Sequence, residues 1–226
     1  NLMSKAYFYK AFGLTIESCA PIAQLPPIEP CVSDVRIVWA DFSNLPRDRR
    51  KYTNPDGIFF HGYDNCYHRI TGGNLEDFKE SQLGVYLMGS CMGAILIQRG
   101  FMLLHGSCVT DGKHAILITG DSGAGKSTTA AEFLKRGWKL VTDDVTCVYE
   151  QDGVFMVRSS YPSQKLWQDA LDRYEKKEED IHSLYFDHDR EKFGVNVADS
   201  FFDGVCRLSM VVRLMPDDQP CSLRPM

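Results

Sequence analysis

Residues 120–127, Gly-Asp-Ser-Gly-Ala-Gly-Lys-Ser, satisfy the pattern Gly-x-x-x-x-Gly-Lys-Ser/Thr at every position. No other feature of the chain limits its fold so tightly. Such a loop works only between a β-strand that runs into its first glycine and a helix that starts near its lysine. Both flanks read that way. Residues 114–119 (His-Ala-Ile-Leu-Ile-Thr) are an apolar strand, and 127–136 are rich in helix formers and stop at Gly137. By composition alone the pattern arises in about one chain in a hundred of this length, and the strand-then-helix context makes chance rarer still.

The loop has a direct chemistry. Glycines at 120, 123 and 125 let the backbone approach a phosphate where a Cβ would collide. Successive N–H groups of 122–127 point inward as an anion nest, and the helix beyond adds the positive end of its dipole. Lys126 carries a mobile positive charge to the outer phosphates, and the Ser127 hydroxyl is suited to a magnesium ion. The expected nucleotide-binding set is therefore Gly120, Asp121, Ser122, Gly123, Ala124, Gly125, Lys126, Ser127 and Thr128, with ATP and Mg2+ as cofactors.

Around this centre the chain reads as α/β. Residues 3–76 are expected to form a small β-rich lobe. Residues 6–16 and 35–40 are strand-like, and 57–61 with 66–70 form a hairpin around 62–65. Turns are expected at 54–57 and 72–74, and Pro21, Pro26, Pro27 and Pro30 bar a helix between the first strands. Residues 77–226 are expected to form a P-loop core with a mixed sheet and flanking helices. The run 83–97 reads as a buried helix capped by Gly100. It is about 15 residues long, short of the roughly 20 a membrane span needs. Strands follow at 102–109, 138–142, 146–150, 154–158, 192–197 and 208–214. Ser163, behind Pro162, is expected to cap a helix over 164–174.

Two further features stand near the loop in sequence. Asp143-Asp144 follow the strand 138–142. One carboxylate can hold magnesium and the other can accept the proton of an attacking hydroxyl. Neighbours on a strand face opposite ways, so the chain must bend there for both to serve one site. His105-Gly106 lie on the strand before the loop. A lone histidine on an apolar strand is more often a satisfied core residue than a functional one.

At these residues the chain resembles the catalytic domain of HPr kinase/phosphorylase. The resemblance rests on His105-Gly106, residues 120–127, Arg136-Gly137, Asp143-Asp144 and Val148-Tyr149, and its close part covers 102–150. Outside it, 9–18 and 165–171 resemble shorter stand-alone HPr-kinase-like proteins, some of which phosphorylate the C-terminal serine of a lasso-peptide precursor. The resemblance implies an ATP-dependent serine kinase acting on a peptide or protein, cytoplasmic, and assembling as a homo-oligomer. It implies Asp143 as the base, Asp144 with Ser127 at the magnesium, and His105 and Lys126 at the transferring phosphate. Lys165 and Lys192 are candidates for further positive charge there. A further helical portion beyond Met226 is expected. No Glu-Ile-Arg-Gly-x-Gly stretch of the HPr kinases follows the core. An HPr-type kinase/phosphorylase and a non-catalytic ATP-binding accessory protein stand as alternatives.

Composition excludes some rivals. Net charge is −5 with no long basic run, which argues against nucleic acid and anionic membrane as partners. No Asn-Lys-x-Asp guanine motif accompanies the loop. The eight cysteines are irregularly spaced without a Cys-x-x-Cys pair, which fits scattered, reduced, mostly buried thiols.

Overall fold

The computed structural model describes residues 5–38, 58–61, 67–70, 84–85, 87–172, 180–187 and 190–215. The chain opens with a hairpin, β1 (Tyr7–Ala11) and β2 (Leu14–Ser18), and β3 (Val35–Ile37) lies parallel to β2. A second hairpin pairs β4 (Ile58–His61) with β5 (Tyr67–Ile70), as expected. The turns at 54–57 and 72–74, and the boundary drawn at 76, lie outside the described residues.

The expected helix over 83–97 is built in two parts. Leu87–Cys91 is a single wide π-turn, and α1 (Met92–Gln98) continues from it. Gly100, with φ +84°, follows the end, and its N–H bonds the Ile97 carbonyl. Leu87, Met88, Met92 and Leu96 are buried with Tyr9, Phe12, Ile16 and Ile22 of the N-terminal segment, and with Cys147 and Tyr161 further along. This cluster joins the first hairpin to the remainder of the chain. No described helix is long and apolar enough to cross a membrane.

The larger sheet has six strands: β6 (Met102–Thr110), β7 (His114–Gly120), β8 (Lys139–Thr142), β9 (Val145–Gln151), β10 (Val154–Arg158) and β14 (Val205–Leu214). Only β7 and β14 pair in parallel, so the sheet is mixed. Its pairings run β7-β14-β10-β9-β6, and β6 also pairs with β7, so they close on themselves. Cys108, Ala115, Leu117, Val141, Val148, Val157 and Cys206, drawn from all six strands, pack into one buried cluster. The fold is α/β with a mixed sheet, as the sequence leads one to expect.

α2 (Lys126–Lys135) lies between two sheets. Its Ala130 and Ala131 are buried with Val109, Ile118 and Leu140 of the large sheet, and with Leu166 and Val195 of a smaller one. The smaller sheet has the order β11-β13-β12, from β11 (Ser163–Trp167), β12 (Ile181–Asp187) and β13 (Arg190–Asn196). Here the structure corrects the sequence. Ser163 opens a strand and not a helix, and among the described residues of the 164–174 span only the short α3 (Gln168–Leu171) is helical. The antiparallel partner that makes 163–167 a strand is Lys192–Asn196, which local propensity cannot register.

Candidate functional site

β6 sets the geometry of the site. Its first half pairs with β9 and its last residues with β8, both along one edge, while β7 occupies the other edge of the second half. β8 and β9 thus form one interrupted strand. The interruption is Asp143-Asp144, facing Gly106 and Ser107. Asp144 takes a left-handed backbone, φ +76°, which is uncommon without glycine. That bend lets both carboxylates enter one cleft, as the sequence requires of a pair with working neighbours. The Gly106 N–H bonds the Asp144 carbonyl at 3.1 Å. A Cβ on Gly106 would stand 2.5 Å from the Ile118 carbonyl oxygen, so glycine is needed where β6 and β7 meet.

β7 ends at the loop. Gly123 and Gly125 have φ +80° and +93°, and a Cβ on either would project into open space. Gly125 is the N-cap of α2, with no side chain capping it. The first residues of α2, Lys126, Ser127 and Thr128, line a cleft of about 240 Å³. Ser122, Gly123, Gly125, Lys126, Ser127 and Thr128 line it from the loop side. Gly120, Asp121 and Ala124 instead shape the loop: Lys126 Nζ donates to the Gly120 and Asp121 carbonyls at 3.1 and 2.8 Å, and the Ala124 N–H bonds the Asp121 carbonyl.

The floor is acidic and crowded. Asp143 is 4% exposed. Its Oδ1 accepts from the Ser107 hydroxyl and, at 3.1 Å, from the Ser127 hydroxyl. Its Oδ2 accepts from the Lys165 N–H at 2.7 Å. Burial pushes this carboxyl above its ordinary value, against the hydrogen bonds from Ser107 and Lys165 that pull it down. Asp144 is more open, with 27% of its side chain exposed, and Lys165 Nζ donates to its Oδ2 at 2.5 Å. Burial pushes Asp144 up as well, but the Lys165 ammonium outweighs it, with His105 and Lys192 adding to the pull. The net shift is downward.

His105 is not a core residue. Its side chain is 60% exposed, and Nδ1 lies 3.0 Å from the Asp144 carbonyl and 3.4 Å from Asp144 Oδ1. Lys165 is no solvated lysine either: it is 7% exposed. Lys192 lines the cleft from β13 and stands 5.1 Å over the Trp167 ring. All the residues singled out from sequence thus gather at one loop and one cleft. The division within the acidic pair differs from expectation: the Ser127 hydroxyl meets Asp143, and Asp144 turns toward His105 and Lys165. Sequence reasoning missed Ser107, Gln164 and Trp167. Ser107 was accessible to it, since residues two apart on a strand share a face and His105 was already in view. Gln164, whose Nε2 donates to the Ser127 carbonyl at 2.8 Å, was hidden by the mistaken helix.

The residues fit a magnesium-bound nucleoside triphosphate. The unfilled cradle at Gly123 and Gly125 and the uncapped start of α2 suit phosphate. Among the described residues no three His, Cys, Asp or Glu side chains converge on a metal position. Asp143 and the Ser127 hydroxyl, 3.1 Å apart, would supply an incomplete hard-oxygen set of the kind that magnesium uses when water and phosphate complete its shell.

Comparison with known proteins finds its likeness in the same stretch of chain. Residues 98–168 match the family described as HPr Serine kinase C-terminal domain. The matched span of this HPr-kinase-like segment runs from the end of α1 through the loop and the acidic pair into β11. An HPr kinase/phosphorylase of Clostridium botulinum is 51% identical over 53 residues, which is 24% of this chain and 17% of that protein. The HPr kinase/phosphorylase of Latilactobacillus sakei is 44% identical over 84 residues, covering 37% of this chain and 25% of the relative. The chain thus spans a quarter or less of the length of these relatives. The solved Hpr(Ser) kinase/phosphatase of Coxiella burnetii aligns over 55% of this chain and 66% of its own, at 16% identity and a TM-score of 0.34. The likeness to the family is carried by the loop and its surroundings, not by the whole molecule.

Proposed function

We propose that this chain transfers the terminal phosphoryl group of ATP to a serine hydroxyl of a peptide or protein. The observation that carries the reading is the bend at Asp143-Asp144, which sets one carboxylate against the loop serine and the other against the open cleft. Amides of 122–127 bind the polyphosphate, and Lys126 exchanges its carbonyl partners for phosphate oxygens. Ser127 and Asp143 would hold magnesium, which would offset the charge developing on the phosphates.

The contacts favour Asp144, not Asp143, as the group that meets the acceptor. Both Asp143 oxygens already accept hydrogen bonds, and one of these comes from the loop serine. Asp144 orients the serine hydroxyl and takes its proton as the new O–P bond forms and the bond to the ADP oxygen breaks. Lys165 lowers its basicity, but transfer of this kind depends more on alignment than on base strength. His105 helps to fix the Asp144 side chain from the opposite side.

The acceptor is read as the C-terminal serine of a lasso-peptide precursor, on the likeness of 9–18 and 165–171 to the stand-alone proteins. A second reading, HPr itself, draws support from the printed names of the relatives that match the core. Intact-mass spectrometry after incubation with ATP and magnesium separates them. One added phosphate on a serine-ended precursor peptide supports the first reading, and on HPr the second. No added phosphate on any serine acceptor, with ATP still bound, favours a binding role.

A further inference from the structure

The smaller sheet reaches the site through Lys192 of β13 and, more extensively, through β11. In β11, Gln164 Nε2 holds the Ser127 carbonyl at 2.8 Å, the Lys165 N–H holds Asp143 at 2.7 Å, and Lys165 Nζ holds Asp144 at 2.5 Å. Consecutive residues thus fix the start of α2 and both carboxylates. Lys165 is itself buried, with its charged end turned into the cleft floor. A buried ammonium is tolerated when it is paired, and the Asp144 carboxylate supplies that pairing.

This arrangement answers an electrostatic difficulty. A polyphosphate entering beside two carboxylates meets like charge at close range, in surroundings where such repulsion is poorly screened. Lys126 donates to the loop carbonyls of Gly120 and Asp121 and Lys192 adds a more distant pull on Asp144, whereas Lys165 bonds both members of the acidic pair. We infer that Lys165 is a positioning residue that holds Asp144 as a neutralised pair and thereby admits a magnesium-bound nucleotide to a floor that is otherwise more acidic. The inference rests on the kinase reading for its ligand, but its test does not require turnover.

Equilibrium titration with a non-hydrolysable ATP analogue and magnesium reads it. Lys165→Met leaves Asp144 unpaired, and affinity falls by on the order of tenfold or more. Adding Asp144→Asn to it removes the charge that lysine had offset, and affinity returns to within about threefold of wild type. Lys165→Arg, which keeps the charge, retains most of the affinity. The charge-compensated double variant guards against a single variant that fails to fold. Unchanged affinity in Lys165→Met, or a double variant no better than Lys165→Met, would overturn the assignment. Loss of binding in Lys126→Ala alone, with Lys165→Met unaffected, supports the nucleotide site while rejecting the role of Lys165.

Discussion

At the scale of single residues, the account turns on how differently two adjacent aspartates are treated. Asp143 is enclosed and hydrogen bonded on both oxygens, whereas Asp144 is held open to the cleft by a left-handed backbone and one lysine. Away from the site, Asp34 shows the same chemistry in simpler form. The Thr15 N–H and hydroxyl bond its Oδ2, each at 2.8 Å, and hold its carboxyl below the ordinary value. A depressed carboxylate stabilises the fold above its unfolded value of 3.8 and loses that contribution as pH falls through the folded value. Asp34→Asn is therefore expected to be less stable than wild type at neutral pH, with the gap closing below pH 3.8. Urea unfolding at both pH values checks this, and a gap that widened in acid would count against it. Little of this was legible beforehand. The sequence shows which residues carry carboxylates, but not which lysine or amide will face them.

At the scale of elements, legibility followed sequence distance. Strands β6 to β10 and the loop–helix unit were readable because turn residues and apolar runs mark them locally. The hairpin turn at Asp152-Gly153 and the stop at Gly137 both fall where chain geometry demands them. β11 was misread because Gln-Lys-Leu-Trp-Gln-Asp-Ala-Leu behind a proline and serine is good local helix sequence. Pairing with Lys192–Asn196, a distant segment, overrides that preference. The wide π-turn before α1 was likewise invisible, and its Leu87, Met88 and Cys91 are buried with residues of the N-terminal hairpin. The tightest element junction is at Gly106, which has no room for a side chain against the Ile118 carbonyl. Gly106→Ala should lower stability by about 1–3 kcal/mol, as overpacked sites do, and should also disturb the site, because the Gly106 N–H anchors Asp144. Thermal unfolding and nucleotide titration of one preparation test both effects. A variant as stable as wild type would mean that β6 and β7 can separate without loss.

At the scale of the whole molecule, the described residues form three clusters: one under the N-terminal hairpin, one among the strands of the closed sheet, and one between α2 and its two flanking sheets. The first cluster draws on both expected units, with Tyr9, Phe12, Ile16 and Ile22 from the lobe over 3–76 and Leu87, Met88, Met92, Leu96, Cys147 and Tyr161 from the core over 77–226. The structure sets Phe12 edge-on to Tyr161, 6.1 Å between ring centroids, so the hairpin packs directly behind the segment that leads into β11. Thiol accessibility reports on this packing. Cys91, Cys108, Cys147 and Cys206 are buried, and burial raises Cys147 to about 12. Cys31 is exposed. A thiol reagent at neutral pH should mark Cys31 in the folded protein and reach the four buried thiols only after denaturant, as peptide mapping will show. Early labelling of Cys147 would mean that the cluster under the hairpin opens.

The central claim, that the bent aspartate pair divides metal holding from proton acceptance, is tested most directly by single-turnover phosphoryl transfer from ATP with titrated magnesium. Asp144→Asn is expected to abolish transfer, a loss of about 100-fold or more, with nucleotide affinity retained. Asp143→Asn is expected to raise the magnesium requirement. Near-normal transfer by Asp144→Asn, or an unchanged magnesium requirement in Asp143→Asn, would contradict the account.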